Sequence, residues 1–147
     1  MLVRLLYASK AVDKVSQEEL LKILSQSKAN NPGSGITGVL CSSGPIFLQC
    51  LEGGRMQVNA LYNQIAADRR HGDVVILSYE EISERTFANW SMGLVKLEQV
   101  NPSLLLKYSE TGTLDPYGVS GTASMALLIE LMARASIMGQ TNLSPLG

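Results

Sequence analysis

Gln49 stands in the stretch FLQCLEG, where strand spacing puts a carboxamide on the same side as Phe47 and Leu51. An interior amide left unpaired costs roughly 1–3 kcal/mol, so Gln49 needs a designated hydrogen-bond partner. Tyr7 ends a similar run, in which Val3, Leu5 and Tyr7 share a face. Two helical stripes turn polar where they end. Leu20, Ile23 and Leu24 continue at i+3/i+4 spacing to Ser27, Asn30 and Asn31, while Val58, Leu61 and Ile65 continue to Asp68 and Arg69, with Arg70 and His71 at the terminus. If both helices pack on the face holding Tyr7 and Gln49, these groups converge on one cleft. Apolar walls with a few converging amides and hydroxyls suit a flat, hydrogen-bonding ligand.

Each of these residues also has a purely structural explanation. Asn30 and Asn31, just before Pro32, are good helix-ending and loop residues. Asp68 to His71 reads equally as a solvated terminus whose basic groups complement the helix dipole. Tyr7, and the pair Trp90 and Met92 on a later strand face, are ordinary core residues.

The elements that must position these groups follow from periodicity. Residues 2–7 form a central strand, apolar on both faces apart from Arg4. Ser16 with Glu19 makes a capping box for the first helix, which Pro32 ends. Strands over 35–42 and 46–51 are joined by Ser43-Gly44-Pro45, a hairpin signal. The helix carrying Val58, Leu61, Tyr62 and Ile65 runs out near Gly72, and strands over 74–79 and 87–95 follow. The order β-α-β-β-α-β-β predicts an α+β, ferredoxin-like sandwich with two helices on one sheet face. Asn101-Pro102 starts a helix over 103–108, and 122–138 is a strongly apolar helix with Glu130 and Arg134 at i and i+4. These C-terminal helices are expected on the other sheet face, with any surplus apolar surface meeting another subunit. A membrane span is disfavoured by the helix's length and internal charges.

Composition narrows the function classes. A chain of 147 residues, 46% hydrophobic, sustains one core. A net charge of -1 without any Lys/Arg run gives no footprint for nucleic acid or an anionic membrane. MLVRLLYASK does not resemble a secretion signal, so a cytoplasmic location is expected. Cys41 and Cys50 lie in apolar runs outside any CxxC pattern, which points to buried reduced thiols and no metal.

Taken in order, Tyr7-Ala8-Ser9, Asn30-Asn31, Gly35-Ile36-Thr37-Gly38, FLQCLEG, Asp68-Arg69-Arg70-His71 and Trp90-Ser91-Met92-Gly93 resemble the signatures of the BLUF domain, a flavin-dependent blue-light sensor. The resemblance covers roughly residues 1–97 and, through Leu106-Lys107-Tyr108-Ser109, extends to short stand-alone members with two C-terminal helices. It implies a sensor over 1–97 and an output or oligomerisation extension over 98–147. It implies FAD held between the two helices by Ser27, Asn30, Asn31, Gln49, Ile65, Asp68, Arg70 and His71. Tyr7 would give up an electron to the photoexcited flavin, a proton would follow through Gln49, and a rearranged hydrogen-bond network would remain. An oxidisable phenol beside an amide that exchanges donor and acceptor roles suits that chemistry. Trp90 and Met92 would relay the change to a homo-oligomer interface or a downstream signalling protein. Two other classes compete: a flavin redox enzyme, disfavoured by a single His and the absence of nucleophile or phosphate-loop motifs, and a non-photoactive interaction subunit on the same scaffold.

Overall fold

Alternation of apolar residues gives the chain its sheet, and a computed structural model describes residues 1–25 and 35–137 of it. The elements are β1 (Leu2–Ala11), α1 (Lys14–Ser25), β2 (Thr37–Ser43), β3 (Ile46–Gly54), α2 (Arg55–Ala66), β4 (His71–Ile82), β5 (Gly93–Lys96), a 3-10 turn (Leu97–Gln99), α3 (Ser103–Leu106) and α4 (Gly121–Ile137). The strands form one sheet in the order β4-β1-β3-β2-β5. β1, β3, β2 and β4 pair antiparallel as in a ferredoxin-like fold, and β5 adds in parallel beside β2. The expected α+β architecture is therefore present.

Period-two alternation divides the core into two layers. Val3, Leu5, Tyr7, Leu40, Phe47 and Leu51 face Leu20 and Leu24 of α1 and Val58 and Ile65 of α2. Leu6, Val39, Cys41, Leu48 and Cys50 face the opposite way, onto Leu104 and Leu105 of α3 and Leu127, Leu128, Leu131 and Met132 of α4. Both faces are covered, as the sequence predicts for a chain whose last helix is apolar nearly all round.

Several boundaries differ from the sequence expectations. α1 is capped by Asp13, whose Oδ1 accepts the Ser16 amide at 2.8 Å; a capping box at Ser16 is not formed, because a carboxylate three residues earlier satisfies the first-turn donor. Ile23 is 39% exposed, so the buried stripe of α1 is Leu20 and Leu24. α2 ends at Ala66, and β4 is much longer than expected, so His71 opens a strand paired with Ala11. β5 is confined to Gly93–Lys96.

That shortening has a physical cause in Glu52. Its carboxylate is fully buried, directly across from Arg4 in the β1–β3 register. It accepts Arg4 Nε at 2.9 Å and the backbone amides of Thr86 and Phe87 at 2.9 and 2.7 Å. Those two amides are thereby withdrawn from strand pairing, and the segment before Trp90 turns over the sheet end. Arg4 also reaches Glu80 at 2.8 Å, so one guanidinium ties three neighbouring strands. Removing one partner of a buried pair strands the other charge. Glu52→Ala should lower the unfolding free energy by about 3–5 kcal/mol, measured by denaturant titration. A loss below about 1 kcal/mol would reduce the clamp to a surface-type ion pair.

A candidate flavin-binding cleft and a buried phenol–amide pair

The β1–β3 register sets Tyr7 directly opposite Gln49, with both side chains on the α1/α2 side. Both are fully buried. The Tyr7 hydroxyl donates to Gln49 Oε1 at 2.5 Å, which supplies the partner that an interior amide requires. The Tyr62 ring of α2 meets Tyr7 edge-on, at 5.6 Å between centroids and 68° between planes, and fixes the phenol's tilt.

The amide nitrogen is much less committed. Gln49 Nε2 lies 3.5 Å from the Leu24 carbonyl and 3.4 Å from Met92 Sδ, both long beside an ordinary N–H···O bond of about 2.9–3.0 Å. Sulfur is also a weak acceptor. The donors of this buried carboxamide are therefore held only by long contacts, with hydrogen-bonding capacity to spare. Leu24, Leu40, Phe47, Ile65 and Met92 supply its apolar surroundings. This donor set fits a flat heteroaromatic ring carrying acceptors on one edge.

Other predicted residues lie around the end of α2 and the start of β4. His71 is buried, with Nε2 donating to the Ile65 carbonyl at 2.6 Å and Nδ1 accepting the Ser9 hydroxyl at 2.9 Å. Its placement on β4, beside Ala11, arises because the strand begins five residues after α2 ends, so the terminus expected for α2 is instead a turn into the sheet. The Asp68 carboxylate accepts the Arg70 amide at 2.9 Å, and Arg70 Nε reaches Glu19 of α1 at 3.4 Å. Arg70 thus ties α1 to the turn that follows α2 at the surface. Ser27, Asn30 and Asn31 lie outside the described residues.

Trp90 and Met92 do not share a face. Trp90 forms an isolated bridge through its carbonyl, which accepts the Gly38 amide at 3.1 Å, and its ring packs with Phe87, Leu127, Leu131 and Met132. Met92 lies in the α1/α2 layer against Gln49. Both precede β5, and the turn pulled over by Glu52 breaks the alternation that a continuous strand would have imposed. Sequence reasoning also missed Ser9 and Tyr62 as neighbours of the site and Glu52 as the residue that shapes the segment before β5. Ser9 is signalled by the odd-numbered face of β1, and Glu52 by an acidic residue in an otherwise apolar strand.

The sequence pattern of the family described as "BLUF: Sensors of blue-light using FAD" matches residues 2–93. The chain belongs to the BLUF family. Among similar proteins is photoactivated adenylate cyclase subunit alpha of Euglena gracilis, 38% identical over 88 residues. Those residues are 60% of this chain but 9% of that relative's length. The photo-activated state of BlsA superimposes with a TM-score of 0.78 at 32% identity, covering 90% of this chain and 95% of BlsA. The dark state of the BLUF protein BlrB gives a TM-score of 0.69 at 31% identity, covering 91% and 96%. Residues 2–93 are thus a blue-light sensor module of the BLUF type, a family described by its use of FAD. Among the described residues no helix is long and apolar enough to cross a membrane, and no His/Cys/Asp/Glu cluster has the makings of a metal site.

Burial also sets the protonation of this BLUF core. It pushes the Tyr7 phenol far above its ordinary 10.0, with Tyr62 adding to the effect. Cys41 and Cys50, free and buried, are likewise pushed well above 9.0 by burial. The folded chain keeps these three protons at pH values where the unfolded chain releases them, so their contribution to stability is unchanged below the ordinary range and falls as pH rises through it. Denaturant midpoints measured from about pH 8 to about pH 11 should decline, and decline less steeply in Cys41→Ala. An identical slope in that variant would mean that Cys41 ionises as freely folded as unfolded.

Proposed function

We propose that the light switch of this sensor is the Tyr7–Gln49 pair. The observation that carries this reading is a phenol donating to a carboxamide oxygen in a dry core, while the amide nitrogen of the same side chain is only loosely held. When bound, a flavin supplies absorption of blue light and an excited state that accepts an electron. Tyr7 is then the donor. Losing an electron makes a phenol strongly acidic, and its proton has an acceptor already in place at Gln49 Oε1. Gln49 carries the change, because an amide that rotates or tautomerises exchanges its donor and acceptor sides without gaining charge. A neutral switch of that kind is affordable where an ion would not be.

FAD is the flavin in this reading, after the family's description. Gln49 Nε2 would meet the ring's acceptor edge, Ile65 would line the wall, and Ser27, Asn30 and Asn31 would hold the ring's polar side. Arg70, anchored by Asp68 and Glu19, is suited to the anionic tail. His71, with both ring nitrogens engaged, braces Ile65 against Ser9 and so shapes the cleft. Met92 senses the amide directly and Trp90 lies on the far side of the sheet.

Residues 1–97 would then form the sensor and residues 98–147 the output extension. The receiver is a second copy of the chain or a separate signalling protein in the cytoplasm. Ile129 of α4 and Leu106 of α3, 45% and 57% exposed, offer apolar contact for it. The test is the absorption spectrum of purified protein before and after blue light. A flavin band that shifts reversibly to the red is expected. Tyr7→Phe should keep the flavin and lose the shift; a normal photocycle in that variant would remove Tyr7 from the mechanism. Asn31→Ala should retain flavin less well, measured by the ratio of flavin to protein absorbance.

A further inference from the structure

A sensor needs a route across its own sheet, because Gln49 lies on the α1/α2 side and α4 covers the other. Neighbouring residues of an extended chain point to opposite faces, so one peptide step crosses the sheet. Met92 and Gly93 are such a step. Met92 Sδ lies 3.4 Å from Gln49 Nε2. On the far side, the position that a Cβ of Gly93 would take is 2.6 Å from Met132 Cε of α4 and 3.5 Å from Trp90 Cε3. Having no side chain, Gly93 lets the Met132 methyl rest on the strand backbone itself.

The surroundings make this contact different from the rest of the α4 interface. Leu6, Cys41, Leu48 and Cys50, which share the far layer with Leu127, Leu128 and Leu131, belong to strands paired on both edges. Residues 90–93 are attached to the sheet on one side: the Trp90 carbonyl accepts from Gly38, and Gly93 pairs with Val39 of β2. A segment held along one edge yields more readily than a central strand. Close-packed side chains then pass its displacement on, since a core has little free volume to absorb it. Two residues before Met132, Glu130 binds Lys107, Tyr108 and Arg134, so α3 and α4 are coupled at the same place.

We propose that Met132 is the receiver of the light signal on α4: its thioether, seated on Gly93, converts a shift of Met92 at Gln49 into a displacement of the C-terminal helix. This rests on the Tyr7–Gln49 switch proposed above, and two readouts separate the claims. Met132→Leu conserves volume but ends one atom short of Gly93, so folding is preserved while the reach is lost. The full chain loaded with FAD would be followed by absorption and by amide hydrogen exchange over residues 121–137, dark and lit. In the unaltered protein, light should change exchange in α4. Met132→Leu should keep the red shift and lower that light–dark difference at least about twofold. Gly93→Ala, which drives a methyl into the thioether, should disturb α4 exchange in darkness, and adding Met132→Ala should restore the dark pattern. A full light–dark difference in Met132→Leu with the red shift intact would overturn the proposal, as would a red-shifting protein whose α4 ignores light. Absence of any red shift would instead reject the phenol–amide switch, and the receiver role with it.

Discussion

A phenol and a carboxamide, both fully buried, face each other across two neighbouring strands and share a hydrogen bond. The remainder of the structure follows from making that arrangement tolerable. Two buried polar side chains are stable only if each satisfies the other, and the direct β1–β3 register does this without help from a loop. Burial keeps the phenol protonated, so the pair begins neutral. What burial leaves incomplete is the amide nitrogen, whose contacts with a carbonyl and a thioether are long. In a low-dielectric interior such weakly held donor capacity is the part of the pair best able to meet a complementary ligand.

The second organising element is ionic. Glu52, on the strand face opposite to Gln49, gathers Arg4 and two backbone amides and so decides where the chain leaves the sheet after β4. Because that turn ends the alternation, Trp90 and Met92 part company, one to each layer. The same stretch FLQCLEG therefore contributes the buried amide with one residue and the separation of Trp90 from Met92 with another, three positions on. Its odd residues face α1 and α2 and its even residues face the opposite side of the sheet.

Coverage of the relatives fits this division. The cyclase relative shares only the sensor-length portion, whereas BlsA and BlrB match over nearly their whole chains. A sheet covered on both faces by helices sets its two core layers within one peptide unit of each other.

Period and punctuation in the sequence were enough to order the elements. Alternation set the faces of β1 and β3, Gly44, at φ +55°, marked the hairpin, and the helical stripes chose the faces of α1 and α2. The types of the side chains, an amide and a tyrosine each in an apolar strand, marked the two residues that the fold brings together. Four things required the tertiary structure: Asp13 as the cap of α1, His71 on a strand, the separation of Trp90 from Met92, and the seat of Met132 on Gly93. Each depends on a partner distant in sequence or on competition between two local donors. Periodicity reports which face a residue prefers, but only the packed chain decides which strand ends where, because a single buried carboxylate such as Glu52 outweighs the weak local preference to continue a strand.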